Sequence, residues 1–185
     1  SSKKSESSQS AIRRILLPTD FSTLSRLSYP SAVGLAKKHE AEIFLLHVDR
    51  LRAPEYSGIT NADYLQDVRE RMAAEARRVE FNGSPVTPFL RSFRDVSRSI
   101  ESSGTILGSD FVVASTPASA VLQRVHENDR SESVIAKASV PALLHGPQSV
   151  EMDADCVRRV LIYGDTVASI ASTVALLRSL VCSDA

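Results

Sequence analysis

The 185-residue sequence has no tryptophan, and aromatic residues make up only 5% of it. So few aromatic rings argue against a protein that binds single-stranded nucleic acid by base stacking. Basic and acidic residues number 22 each, so the net charge is zero. A neutral chain has no overall attraction to nucleic acid or to an anionic membrane. We therefore expect no nucleic-acid partner.

Long apolar runs and cysteine pairs are also missing. No apolar run approaches the roughly 20 residues that span a bilayer, so we expect no membrane association. The two cysteines, Cys156 and Cys182, are too few and too far apart for a disulfide framework or a metal site. They are consistent with a reducing, cytoplasmic compartment. Residues 1–11 are polar and serine-rich, which predicts a disordered tail.

Strand and helix patterns alternate through most of the chain. Strands are predicted at 12–18, 42–48, 86–93, 110–115 and 141–146, and helices at 22–38, from about 60 to 80, at about 95–104 and at about 129–138. Connections of this length require parallel strands and right-handed crossovers. The prediction is an α/β fold with a doubly wound, open, parallel five-stranded sheet.

Local features refine this prediction. Pro30 lies inside the first predicted helix, where we expect a kink or a missing hydrogen bond to Arg26. Pro88 indicates that the third strand lies at an edge of the sheet. The charged residues of the second helix, Arg71 and Glu75 among them, are interpreted as a solvated face with i,i+4 pairs.

A carboxylate follows the first strand. Residues 13–22 read RRILLPTDFS, so Asp20 comes directly after an apolar run. In a doubly wound sheet, ligands bind beyond the carboxyl ends of the strands, where the strand order reverses. Asp20 is therefore a candidate ligand contact. The alternative is that it only helps to cap the next helix, since aspartate and serine are common there.

The first quarter of the chain resembles a known family. The segment RRILLPTDFSTLSRLSYPSAVGLAKKHEAEIFLLHV is similar to the opening of the universal stress protein family: a strand ending in Asp, a Ser-started helix and a strand ending in His-Val. SDFVVAS and VIAKASVPALLH resemble that family's fourth strand and its last helix and strand. The resemblance covers about 12–147 and implies an adenine nucleotide alpha hydrolase-like domain.

The resemblance also implies a site. Family members that hold ATP contact adenine through an Asp after the first strand and through backbone at the end of the second. These positions match Asp20 and Val48, and Pro18 and Thr19 beside Asp20 are further candidate contacts. Those members cradle ribose and phosphates in a loop after the fourth strand, of the form G-x2-G-x9-G-(S/T).

That loop departs from the family pattern here. Its glycine positions are Ser115, Ala118 and Asn128, and its final Ser/Thr position is Asp129. Pro117 removes one amide donor. At about 4 Å, the Asp129 carboxylate and a phosphate at a partly buried site repel by several kcal/mol. We therefore expect no ATP binding and no cofactor; the alternative is AMP, ATP or adenosine in the crevice between strands one and four.

The end of the chain repeats its beginning. A shift of 145 residues places Asp20 on Asp165 and the first strand on 157–162. Residues 157–185 then resemble the first βα unit of a second repeat, a C-terminal appendage joined by a linker at 148–156. The chain is either the first part of a tandem protein or a single domain with this appendage. The remaining alternative is a coincidence of βα patterning.

A single βα unit cannot bury both faces of its strand. In the family the last strand commonly pairs with a partner, so we expect a homodimer through the last strand and residues 157–163. The sequence does not indicate which other protein it binds.

No catalytic constellation is evident. No H-E-x-x-H, Walker or G-x-S-x-G motif occurs, and neither Ser115 nor Ser119 has an evident base. His47 and His145 lie in or at the end of strands and are expected to be satisfied core or rim histidines. We expect a non-catalytic, metal-free regulatory domain of the stress response that acts through dimerisation or partner binding. The alternative is an adenine-nucleotide or adenosine sensor.

Overall fold

The structure is a computed structural model that describes residues 12–49, 61–80, 84–92, 96–115 and 141–145. Its strands are β1 (Arg14–Thr19), β2 (Glu42–Asp49), β3 (Val86–Ser92), β4 (Phe111–Ser115) and β5 (Ala142–His145). Its helices are α1 (Thr23–Arg26), α2 (Tyr29–His39), α3 (Asn61–Glu80) and α4 (Val96–Leu107). The tail, the last predicted helix, the linker and the C-terminal appendage lie outside the described residues.

The five strands form one parallel sheet in the order β3-β2-β1-β4-β5. The chain builds outward from β1 to β3 and then returns to place β4 on the other side of β1. This reversal confirms the doubly wound fold and puts the crevice at the carboxyl ends of β1 and β4. The edge position of β3 confirms the prediction made from Pro88.

The central strand is buried on both faces. Ile15 and Leu17 pack in one cluster with residues of α2 and α3. Leu16 packs in a second cluster with Ile100 of α4 on the opposite face. Burial on both faces explains why β1 is a continuous apolar run and not an alternating pattern.

The segment after β1 differs from the prediction of one kinked helix at 22–38. Ser22 caps α1 as its side chain accepts a hydrogen bond from the Ser25 amide. That helix ends at Arg26, and α2 begins at Tyr29 with Pro30 in its first turn. Proline is well placed there because amides of a first turn have no partner within the helix. Pro30 therefore helps to start a second helix. The prediction of a kink was wrong, whereas the hydrogen bond to Arg26 is indeed missing because proline has no amide proton.

The start of β1 is tied to the connection between α4 and β4. Asp110 Oδ2 accepts hydrogen bonds from the backbone amides of Arg13, at 2.8 Å, and Arg14, at 3.0 Å. Arg14 Nη1 donates to the Leu107 carbonyl at 3.1 Å, at the end of α4. Gly108 follows with φ 59°. Its missing Cβ leaves room for the Arg14 guanidinium.

Within the part of the chain that the structure describes, every helix is too short or too polar to traverse a bilayer.

Candidate functional site

Asp20 lies at the carboxyl end of β1, in the turn that leads to α1. Its Oδ1 accepts a hydrogen bond from the Ser22 backbone amide at 2.9 Å, and its side chain is exposed. Partial burial raises the pKa of Asp20, but hydrogen bonds from Ser22 and Ser25 outweigh that effect and lower the pKa overall. Asp20 thus shapes the turn and also presents an ionised carboxylate at the crevice. The interpretation of Asp20 as a ligand contact and its interpretation as a residue that shapes the start of the next helix are therefore compatible.

Phe21 holds an unusual conformation in the same turn. Its φ is 66°, in the left-handed region that residues other than glycine rarely adopt. Its ring stacks on the imidazole of His47 with centroids 4.2 Å apart. The Arg71 guanidinium lies 4.5 Å from the Phe21 centroid. These two contacts tie the Phe21 ring to both β2 and α3.

His47 joins the ends of β1 and β2. Its Nδ1 lies 2.8 Å from the Thr19 carbonyl oxygen. A carbonyl only accepts, so Nδ1 carries the proton of this bond. Burial lowers the pKa of His47, although the Thr19 carbonyl and the Asp49 charge offset part of the effect. His47 is a half-buried histidine with a partner, which confirms the expectation made from its place in a strand.

The hydroxyl of Thr19 begins a chain of buried polar contacts. Thr19 Oγ1 lies 2.8 Å from the Tyr29 hydroxyl, and that hydroxyl donates to Glu75 Oε2 at 3.1 Å. Arg26 Nε and Nη2 bind the two carboxylate oxygens of Glu75. Burial raises the pKa of Tyr29 to about 12, so the phenol keeps its proton. Glu75 is only 4% exposed, so its interpretation as part of a solvated face was wrong.

The ends of β4 and β5 present a second polar pair. Ser115 and His145 are partners in the β4–β5 register. Ser115 Oγ and His145 Nε2 are both buried, and neither has a hydrogen-bond partner among the described residues. Burial lowers the pKa of His145, whose residue exposure is 2%. The expectation of a satisfied histidine was therefore wrong for this nitrogen.

These residues form one row across the sheet. Thr19 pairs with His47, and continuing the β1–β4 register to the strand ends brings Ser115 beside Thr19. The apolar residues two positions earlier on all four strands share a single cluster: Leu17, Leu45, Val113 and Leu143. Because side chains alternate along a strand, the polar row lies on that same face. Its β1–β2 half is hydrogen-bonded, whereas Ser115 Oγ and His145 Nε2 in its β4–β5 half have no hydrogen-bond partner within the described part of the chain.

The other predicted site residues are distributed as follows. Pro18 precedes Thr19 on β1, and Val48 packs on the opposite face of the sheet, against the α4 cluster. The remaining loop positions, Ala118, Asn128 and Asp129, lie outside the described residues. The described residues contain no group of three histidine, cysteine, aspartate or glutamate side chains that could hold a metal ion.

Sequence reasoning missed the groups that hold the turn. Phe21 and Tyr29 had no assigned role, and Arg71 and Glu75 were both placed on a solvated face. A signal was present for Arg71 and Glu75, since residues four apart share one helix face. Nothing in the local pattern indicated that this face meets the end of β1.

The sheet and its crevice define a doubly wound α/β protein with a carboxylate where the strand order reverses. The family model for universal stress proteins matches residues 11–145. The chain therefore belongs to the universal stress protein family. No curated protein matches it.

Solved structures share this fold. A protein of the universal stress protein family from Burkholderia pseudomallei is 20% identical with a TM-score of 0.56, over 74% of this chain and 97% of that one. A universal stress protein in complex with cAMP is 12% identical with a TM-score of 0.56, over 74% and 98%. One from Archaeoglobus fulgidus in complex with dAMP is 15% identical with a TM-score of 0.52, over 72% and 98%. At these identities the likeness shows the fold alone.

Proposed function

We propose that this protein is a non-catalytic universal stress protein domain that regulates a stress response through dimerisation or partner binding and does not bind ATP. Membership of the family supports a role in the stress response. The loop positions Ala118, Asn128 and Asp129 replace glycines and a hydroxyl that would hold phosphates.

One structural observation carries the proposal that ATP is excluded. The two guanidiniums that lie near the end of β1, those of Arg26 and Arg71, are already engaged. Arg26 binds the buried Glu75, and Arg71 lies on the Phe21 ring. Neither arginine is therefore an uncommitted cation that could replace the lost glycine amides at the phosphates.

Dimerisation is proposed at the other edge of the sheet. β5 is an edge strand of the described sheet, and its first three residues are half-buried. An edge strand presents backbone groups that can pair with another chain. We propose that a second copy binds there, with residues 157–163 near the interface. Light scattering that shows a strict monomer at all concentrations would contradict this proposal.

A second candidate function is a sensor of an adenine nucleotide or of adenosine. The Asp20 carboxylate can accept a hydrogen bond from a base, and Ser115 and His145, on the same edge, hold polar atoms that lack partners among the residues described. Relatives of the same fold were solved with cAMP and with dAMP. The sensor would bind its ligand in the crevice between β1 and β4, with Asp20 and the end of β2 as contacts for the base.

Thermal-shift measurements with adenosine, AMP, ADP and ATP separate the two candidates, since a ligand that binds the folded state raises the melting temperature by mass action. The scaffold proposal predicts no shift with any of the four. The sensor proposal predicts a shift that Asp20→Ala abolishes. The matched control is Asp20→Asn, whose side-chain oxygen can still accept from the Ser22 amide but carries no charge. ATP hydrolysis that Asp20→Ala removes would contradict the non-catalytic assignment.

A further inference from the structure

Two residues of α3 hold the turn at Phe21 from two directions. Arg71 packs its guanidinium on the Phe21 ring. Glu75, one helical turn later, reaches the Phe21 backbone through the hydroxyls of Tyr29 and Thr19. Because residues four apart lie on one helix face, both contacts move together with α3.

The hydrogen bonds between Glu75 and Phe21 have a defined direction. The Glu75 carboxylate already accepts two bonds from Arg26, so the Tyr29 hydroxyl must donate to it. The Tyr29 oxygen then accepts from the Thr19 hydroxyl, at 2.8 Å. Thr19 Oγ1 in turn accepts from the Phe21 amide at 3.1 Å. Ser25 Oγ lies 3.2 Å from Thr19 Oγ1, and its own proton goes to the Ser22 carbonyl. We call the path from Glu75 through Tyr29 and Thr19 to the Phe21 amide the Glu75 relay.

We infer that Glu75 is a positioning residue of the crevice: through Tyr29 and Thr19 it fixes the Phe21 amide and thereby the orientation of the neighbouring Asp20 carboxylate. The left-handed conformation of Phe21 is unfavourable for a residue with a Cβ, so the turn needs contacts that favour it over an ordinary conformation. The ring contacts hold the Phe21 side chain, and the relay holds its backbone. The inference requires no bound ligand, so it can hold or fail independently of the proposed function.

The relay explains why a carboxylate is buried at position 75. Burial of a charged group is costly unless it is paired and hydrogen-bonded. Glu75 meets that requirement with Arg26 and Tyr29. Arg26 belongs to α1, Tyr29 to α2 and Glu75 to α3, so the same carboxylate connects all three helices to the end of β1. A simple salt bridge on the surface would not reach the crevice.

The inference is tested by hydrogen exchange and NMR on the full chain. Tyr29→Phe removes the relay hydroxyl but keeps the ring, and Glu75→Gln removes the charge but keeps the size. The control is Arg78→Gln: Arg78 Nε lies 3.7 Å from Glu75 Oε2, and Arg78 takes no part in the relay. The core amide of Leu45 on β2 reports the loss of global stability in each variant.

We expect the Phe21 amide to exchange about five to ten times faster in Tyr29→Phe and Glu75→Gln, beyond any change at Leu45, because one hydrogen bond contributes about 1 kcal/mol. The Arg78→Gln variant leaves the Phe21 exchange at the wild-type rate. The Asp20 carboxyl titration is the second readout. Its pKa rises toward the ordinary value in both relay variants, because the turn that hydrogen-bonds it is loosened.

A purely structural role would give a different result. Glu75 would then affect only the melting temperature, and Phe21 exchange relative to Leu45 and the Asp20 titration would stay at wild-type values in both relay variants. That outcome would overturn the inference. If Glu75→Gln does not fold, Tyr29→Phe alone decides, because it leaves the ion pair with Arg26 in place.

Discussion

Phe21 lies on the imidazole ring of His47, with ring centroids 4.2 Å apart and 27° between the ring planes. The contact joins the turn after β1 to the end of β2, where His47 also binds the Thr19 carbonyl. One side of the crevice is therefore fixed by packing and hydrogen bonds. On the other side, Ser115 and His145 bury polar atoms that lack partners among the described residues.

The left-handed backbone of Phe21 predicts that glycine is more stable than alanine at this position, the reverse of their order within helices and strands. Phe21→Ala loses the ring contacts and keeps the left-handed penalty, whereas Phe21→Gly loses the same contacts and removes the penalty. We expect both variants to be less stable than wild type, with glycine more stable than alanine by about 1 kcal/mol. Urea unfolding measures the difference. A more stable alanine variant would show that the turn is not strained.

Alanine substitutions of the two glycines near the end of α4 should have opposite effects on the free energy of unfolding. Gly104 lies in the helix interior, and an added Cβ would meet Leu16 Cδ2 at an ordinary 3.9 Å. Gly104→Ala should therefore increase the free energy of unfolding by about 0.5–1 kcal/mol.

Gly108 has φ 59°, and an added Cβ would lie 2.9 Å from Arg14 Nη1. Gly108→Ala should reduce the free energy of unfolding by about 1–2 kcal/mol. Calorimetry on both variants compares the two glycines directly. Equal effects of the same sign would contradict the described conformation of this helix end.

The lowered pKa values of His47 and His145 predict loss of stability on acidification. Below the ordinary histidine pKa of about 6.5, the unfolded chain binds more protons than the folded protein, so the free energy of unfolding falls as the pH falls. Asp20 acts at lower pH: its lowered pKa contributes stability that is lost only as the pH falls through the acidic range of carboxylates.

Two variants test whether His47 and His145 cause that loss of stability at low pH. His47→Asn keeps a donor for the Thr19 carbonyl but cannot titrate, and His145→Leu removes a buried polar group without a described partner. Each should flatten part of the decline between about pH 7 and pH 5, measured by urea unfolding at each pH. An unchanged slope in both variants would assign the decline to other groups.

The sheet could be predicted because burial dictates the spacing of apolar residues. The buried runs of β2 and β4 and the helical spacing of Val68, Met72 and Ala76 follow directly from the faces that they cover. The break before α2 was missed because Pro30 is compatible both with a kink and with a helix start. Only the hydrogen bonds of the first turn distinguish the two.

The position of Asp20 was also predictable, since a strand end at the reversal of strand order is a general site for ligands. The contacts around it were not. Tyr29 and Arg26 lie 46 and 49 residues before Glu75 in the sequence, so no local pattern joins them. A glutamate within a highly charged helix has no sequence signal that marks it as buried.

Isothermal titration calorimetry with ATP and Mg²⁺ tests most directly whether the crevice retains its carboxylate but has lost the means to hold phosphates. We predict no measurable heat of ATP binding by the full chain, with Asp20→Asn indistinguishable from wild type. Saturable binding of ATP with low-micromolar affinity would contradict the proposal that this member of the family does not bind ATP.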